Sequence, residues 1–237
     1  MKTVAAVYTA QALVEPLTAI FEEELPGVRL INIVDGGLIQ DVIRDGGVTV
    51  GTARRLMHCY MAAVDAGADV ILNTCSSVGD VVPHARWFVP AKIIKIDDAM
   101  AARAVQAGKR IAVLATLMTT LDPTARLVRS AAMAAGASVE IVEGLAEGAF
   151  QALSDGDGNR HDGLILETAL QVADRADVLV LAQGSMARME HQLRNATGKP
   201  VLSSPRSGVA ALKEFLAVAG VPGAERARVV VGSNGAE

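Results

Sequence analysis

Ala68-Asp-Val-Ile-Leu-Asn-Thr-Cys-Ser-Ser-Val-Gly-Asp80 is an apolar run that empties into a small polar turn. Val70–Leu72 is short and bounded by small polar residues, the pattern of a strand buried on both faces in a parallel sheet. Such sheets bind ligands where their strands end at the carboxyl edge. The turn there holds Cys75 between Thr74, Ser76 and Ser77. Backbone N–H groups opening a helix attract anions and lower the pKa of a thiol. Cys75 therefore reads as a thiolate facing an anionic substrate. The competing reading is a thiol that packs as a small hydrophobe and simply ends a core strand.

A second copy weighs against the plainer reading. Ala176-Asp-Val-Leu-Val-Leu-Ala-Gln-Gly-Ser-Met-Ala187 repeats the Ala-Asp-Val start, the apolar run and the polar turn. From residue 69 to residue 177 the shift is 108, and it carries Cys75 onto Gln183. Val4-Ala-Ala-Val-Tyr-Thr9 returns as Ile111-Ala-Val-Leu-Ala-Thr116 at a shift of 107, and Lys92-Ile-Ile-Lys-Ile96 returns as Lys199-Pro-Val-Leu-Ser203. The chain is an internal duplication, and its two central turns are expected to face one another. Each repeat's last strand leads directly into the other half. This predicts an exchange of segments, with residues 1–97 plus 206–237 forming one α/β domain and residues 98–205 the other.

Composition supports alternating strands and helices. The 237 residues are 51% hydrophobic but only 3% aromatic, with 22 Gly, which fits an aliphatic α/β core better than a β-sandwich. A net charge of −4 supplies no basic field for nucleic acid or anionic lipid. No apolar run reaches the ~18 residues of a membrane span. Met1–Val7 reads as a first strand rather than a secretory leader, because Gln11 and Glu15 follow too early. Cys59 and Cys75 are then expected as reduced thiols in a cytoplasm.

Along the chain, helical periods run over Gln11–Glu24, Leu38–Arg44 and Thr49–Ala66. In the last of these Leu56, Cys59, Tyr60 and Ala63 form the buried stripe, so Cys59 reads as core packing. Val28–Val34 is a strand, and Asp97 or Asp98 caps a helix over Asp97–Ala107. In the second half, Met118 opens a helix to Ala135, Ser138–Val142 is a strand, and His161–Ala173 is helical. Ser154–Arg160 reads as an exposed loop, and its Asp-Gly-Asp-Gly spacing lacks the later Glu of a calcium loop. Arg188–Arg194 looks helical, Ser207–Ala219 is a last helix, and the tail Val221–Glu237 holds one apolar run, Val229–Val231.

Taken together, the two turns resemble those of the aspartate/glutamate/hydantoin racemase superfamily, over roughly Val4 to Ala219. Leu72-Asn-Thr-Cys-Ser-Ser77 matches the first cysteine motif. Leu181-Ala-Gln-Gly-Ser-Met-Ala-Arg188 matches the second, and Leu114-Ala-Thr116 with Thr119 and Thr120 matches a substrate-contacting element. The resemblance implies two similar pseudo-symmetric domains, each a parallel sheet flanked by helices, with the active site in the cleft between them. It also implies catalysis without cofactor or metal on a small carboxylate-bearing substrate, in a homo-oligomer. In the family one thiolate removes the proton α to a carboxylate, and a second thiol reprotonates the opposite face. Here Gln183 stands where the second cysteine is expected, and an amide is neither acid nor base near neutral pH. Cys75 is left as a base, an acid or a covalent nucleophile, in an isomerase- or decarboxylase-like enzyme or in a binding protein that has lost turnover.

The remaining candidates follow from that placement. Thr9, Thr116 and Thr119 end or follow strands on one edge and can orient a carboxylate; each also suits a turn or a cap. Hydroxyls and N–H groups around Thr74, Ser76, Ser77, Gly184 and Ser185 can hold a carboxylate or a developing enediolate. His84 and Asp80 invite a Cys–His pair with Cys75, against a plain reading as solvent-facing turn residues. Arg188 and Arg206 can pair with a second substrate carboxylate or lie solvated on the surface. His58, His161 and His191 have no ligand spacing with another His or Cys.

Overall fold

The computed structural model describes residues 1–218, so the tail and its apolar run lie outside the described residues. The first half runs β1 (Thr3–Tyr8), α1 (Val14–Glu24), β2 (Arg29–Val34), α2 (Gly37–Arg44), α3 (Val50–Asp65), β3 (Val70–Asn73), α4 (Val82–Ala85) and β4 (Lys92–Lys95). The chain crosses over through α5 (Asp98–Ala107). The second half runs β5 (Arg110–Ala115), α6 (Met118–Ala134), β6 (Glu140–Leu145), α7 (Ala149–Ser154), α8 (Gly158–Ala173), β7 (Val178–Leu181), α9 (Glu190–Thr197) and β8 (Val201–Ser203), and α10 (Ser204–Val218) closes it.

The strands form two four-stranded parallel sheets, ordered β2-β1-β3-β4 and β6-β5-β7-β8. β3 and β7 are buried along their whole length, as expected of central parallel strands. The duplication extends to register: Val4 pairs Val70 in one sheet, and Ile111 pairs Val178 in the other. At the last strands, Ile71 pairs Ile93 and Leu179 pairs Val201, so β4 maps onto β8 at a shift of 108. That is one residue beyond the alignment of Lys92 with Lys199.

The repeated Ala-Asp-Val has a structural cause. Asp69 Oδ2 accepts the backbone N–H of Thr3 at 2.8 Å, and Asp177 Oδ2 accepts those of Lys109 and Arg110 at 3.0 and 2.8 Å. Each Asp thus satisfies donors at the start of the neighbouring central strand and sets its register.

Helices exchange between the halves. Met100, Ala101 and Ala104 of α5 pack with Ile111, Val178 and Val180 of the second sheet. Val209 and Leu212 of α10 pack with Val4, Ala6 and Leu72 of the first. Gly208 permits this approach, because a Cβ there would lie 2.4 Å from the carbonyl oxygen of Ile96.

Several local expectations are corrected. Ser154–Arg160 is mostly helical: α7 ends at Ser154, and Asp157 caps α8 by accepting the N–H of Arg160 at 3.0 Å. Neither Asp97 nor Asp98 caps α5, since Asp97 accepts no helix N–H and its buried Oδ1 has no hydrogen-bond partner. Cys59 is half-buried rather than on the fully buried stripe, packed at the margin of the α2–α3 core.

Candidate active site

In both sheets the strand order reverses direction between the first and third strands, β1/β3 and β5/β7. At such a point adjacent crossovers leave to opposite faces and open a crevice at the carboxyl edge. Here the two crevices merge into one cavity of about 130 Å³. Its wall holds Thr9, Thr74, Cys75, Ser76 and Ser77 from the first half, and Gln183, Gly184 and Ser185 from the second.

Cys75 follows β3 by two residues in extended backbone, φ −121 and ψ 119, just before a 3₁₀ helix, Ser76–Val81. Gln183 has nearly the same backbone, φ −122 and ψ 138, before the 3₁₀ helix Gly184–Met189. The turn at Cys75 is held from below by Asn73. Its Oδ1 accepts the Tyr60 hydroxyl at 2.9 Å and its Nδ2 donates to the Cys75 carbonyl at 2.9 Å. Thr74 closes onto β1, its hydroxyl donating to the Val7 carbonyl at 3.0 Å. Hydroxyls of the turn seam it to the other half: the Ser76 hydroxyl donates to the Ala182 carbonyl at 3.3 Å, and the Ser77 and Thr120 hydroxyls lie 2.8 Å apart.

The thiol is enclosed by neighbouring atoms, and its remaining exposure is onto the cavity. Burial raises the Cys75 pKa, opposed by hydrogen bonds from the Thr9 hydroxyl, the Ser77 N–H and hydroxyl, and the Val78 N–H. The expected lowering by backbone N–H groups is present, but desolvation outweighs it, so the resting group is a thiol rather than a thiolate. Cys59 is also shifted upward, by burial first and by the Asp35 carboxylate, with the Arg55 guanidinium opposing.

Gln183 does not present a free amide. Its Oε1 accepts the Thr116 N–H at 2.7 Å and its Nε2 donates to the Thr116 hydroxyl at 2.7 Å. Thr116 is therefore clamped behind Gln183 and does not line the cavity. Thr119 is not on the wall either, and its buried hydroxyl has no hydrogen-bond partner. Thr120, one residue on, takes that place.

The charged candidates point elsewhere. Arg188 pairs with Asp162 at 2.7 Å, and Arg206 with Glu23 at 2.8 Å. Asp80 pairs with Arg126 at 2.6 Å, while His84 is exposed and off the cavity wall. Residues that carried no sequence signal also line the cavity. Leu13, Ile39, Leu117, Phe150 and Leu153 form an apolar portion, and Ser204 adds a hydroxyl at the start of α10. Leu13 and Ile39 fall in helical periods that read as core, which hides a side chain facing a cavity. Among the described residues, no helix is long and apolar enough to cross a membrane.

A family model described as Asp/Glu/Hydantoin racemase matches residues 6–212. Among curated proteins, none matches this chain. Among solved structures, allantoin racemase from Klebsiella pneumoniae is similar with a TM-score of 0.68 at 18% identity, over 92% of this chain and 89% of that one. A glutamate racemase from Bacillus anthracis is similar with a TM-score of 0.74 at 13% identity, over 93% and 83%. Aspartate racemase from Picrophilus torridus is similar with a TM-score of 0.71 at 14% identity, over 92% and 95%. At these identities the likeness speaks to fold alone.

Proposed function

Because this chain belongs to the Asp/Glu/hydantoin racemase family, we propose that it is a cofactor-independent enzyme acting at the carbon α to a carboxylate of a small molecule, with Cys75 as its one reacting thiol. The observation that carries this reading is the Cys75 thiol on the cavity wall, surrounded by donors from Thr9, Ser77 and Val78. Those donors stabilise the thiolate whenever the reaction forms it. The Ser185 hydroxyl and the turn N–H groups would take the substrate carboxylate and the enediolate charge, while the Thr74 and Ser76 hydroxyls, already donating to the Val7 and Ala182 carbonyls, would hold the turns in place.

A thiol held protonated by burial suits a general acid that delivers its proton to a carbanion, as after loss of carbon dioxide. Once deprotonated, the same group is a stronger base or nucleophile than an ordinary thiolate. Gln183, clamped on Thr116, supplies no proton to the opposite face. The reaction is then one-faced: decarboxylation, covalent cis–trans isomerisation, or proton exchange with retained configuration. On this proposal the cleft lies between a domain formed by residues 1–97 plus the segment from 206 onward, of which 219–237 lie outside the described residues, and a domain formed by residues 98–205. The family resemblance extends it to a homo-oligomer, and the proposed place of work is the cytoplasm.

Incubation with each enantiomer of aspartate, glutamate and a hydantoin in deuterated water tests the mechanism. Deuterium entering with retained configuration supports one-base chemistry at Cys75, and rapid loss of optical activity refutes it. A second reading, a small-carboxylate binding protein without turnover, is favoured by Gln183 standing where a second thiol is expected, its amide engaged with Thr116. Iodoacetamide sorts the roles of the thiol: labelling of Cys75 far faster than Cys59 supports a base or nucleophile, and equal sluggishness fits a general acid or the binding protein.

A further inference from the structure

We infer that the ligand of this cavity carries one carboxylate and an alkyl or aryl substituent, in place of the second carboxylate and free ammonium of an acidic amino acid. The inference rests on the reading above that the turns hold a carboxylate and, of the reactions named there, on proton exchange, which needs only one. Beside those turns, five large apolar side chains line the same cavity: Leu13, Ile39, Leu117, Phe150 and Leu153. All except Ile39 are only half-buried in the free protein, so each keeps apolar surface that a ligand can cover.

They come from both halves. Leu13 precedes α1, and Phe150 and Leu153 sit on α7. Gly184 keeps Leu13 in place, because a Cβ there would lie 2.8 Å from the Leu13 methyl groups. The second-half turn thus accepts an apolar side chain of the first half directly beside the residue that follows Gln183.

Charge points the same way. Among the described residues, none on the cavity wall is charged. A second carboxylate or an ammonium would leave water without a counter-ion, which is costly for an isolated charge. Arg188 and Arg206 do not serve, since both are engaged in ion pairs away from the wall.

The test is calorimetric binding to the full chain, comparing phenylacetate and hexanoate with succinate and L-aspartate. Protection of Cys75 from iodoacetamide, read by mass spectrometry, reports that binding is in this cavity. The expected result is that the two monocarboxylates bind about tenfold more tightly or better. Leu153→Ser should weaken their binding and leave succinate unchanged, and Leu153→Lys should shift preference toward succinate. Succinate or aspartate binding as tightly as the monocarboxylates overturns the inference, and so does failure of all four acids to bind. Tight monocarboxylate binding with no deuterium uptake by any α-carbon would sink α-proton exchange as the reaction and leave this inference standing. Tight aspartate binding with deuterium uptake would do the reverse.

Discussion

Cys75 is under two opposing influences, enclosure that disfavours its charge and a ring of donors that favours it. Cys75→Ala is expected to abolish turnover or exchange of any substrate found, measured by deuterium uptake. Cys59→Ala should keep activity and cost on the order of 1 kcal/mol, because removing a half-buried sulfur leaves a small cavity. Gln183 is a positioning residue in this structure, its amide closing both the N–H and the hydroxyl of Thr116. Gln183→Leu leaves a buried N–H without its acceptor, so a loss of ~1–3 kcal/mol is expected in urea unfolding. No change in the unfolding midpoint would show that the clamp contributes nothing.

At the scale of single elements, β5 begins on Asp177, which binds the N–H groups of Lys109 and Arg110 and the Arg110 guanidinium. The Arg110 side-chain hydrogen bond is the largest influence holding the Asp177 carboxyl at about 2, below its ordinary 3.8. A folded-state pKa below the unfolded one means stability that is present above the ordinary value and lost as pH falls through the folded value. The wild-type thermal midpoint should therefore fall more steeply than that of Asp177→Asn between about pH 4 and pH 2, with parallel curves above. Parallel curves throughout would show that this carboxylate does not anchor the strand. The equivalent Asp69 caps the start of β1 in the same way, which is why the Ala-Asp-Val motif occurs twice.

For the whole molecule, the exchange of α5 and α10 makes each sheet depend on a helix supplied by the other half. Gly208→Ala would push α10 off the residue that follows β4, because the nearest atom is the Ile96 carbonyl oxygen, which cannot swing aside as a side chain can. A cost of ~1–3 kcal/mol is expected in denaturant unfolding, and an unchanged midpoint would mean α10 is not tightly seated there.

The sequence alone determined the duplicated α/β chain, its central strands and the equivalence of Cys75 with Gln183, because alternation, apolar runs and repeat spacing are local properties of the chain. It also carried the hydroxyl-rich turns, since polar residues after an apolar strand announce themselves. Only the tertiary structure decided that Gln183 is turned onto Thr116, that Thr120 rather than Thr119 reaches the cavity, and that Arg188 and Arg206 are engaged elsewhere. It alone decided that Leu13, Phe150 and Leu153 face a cavity, and that burial keeps Cys75 protonated. The physical reason is common to all of these. Desolvation and pairing depend on which groups distant in sequence meet, and two halves folding against one another bring those groups together.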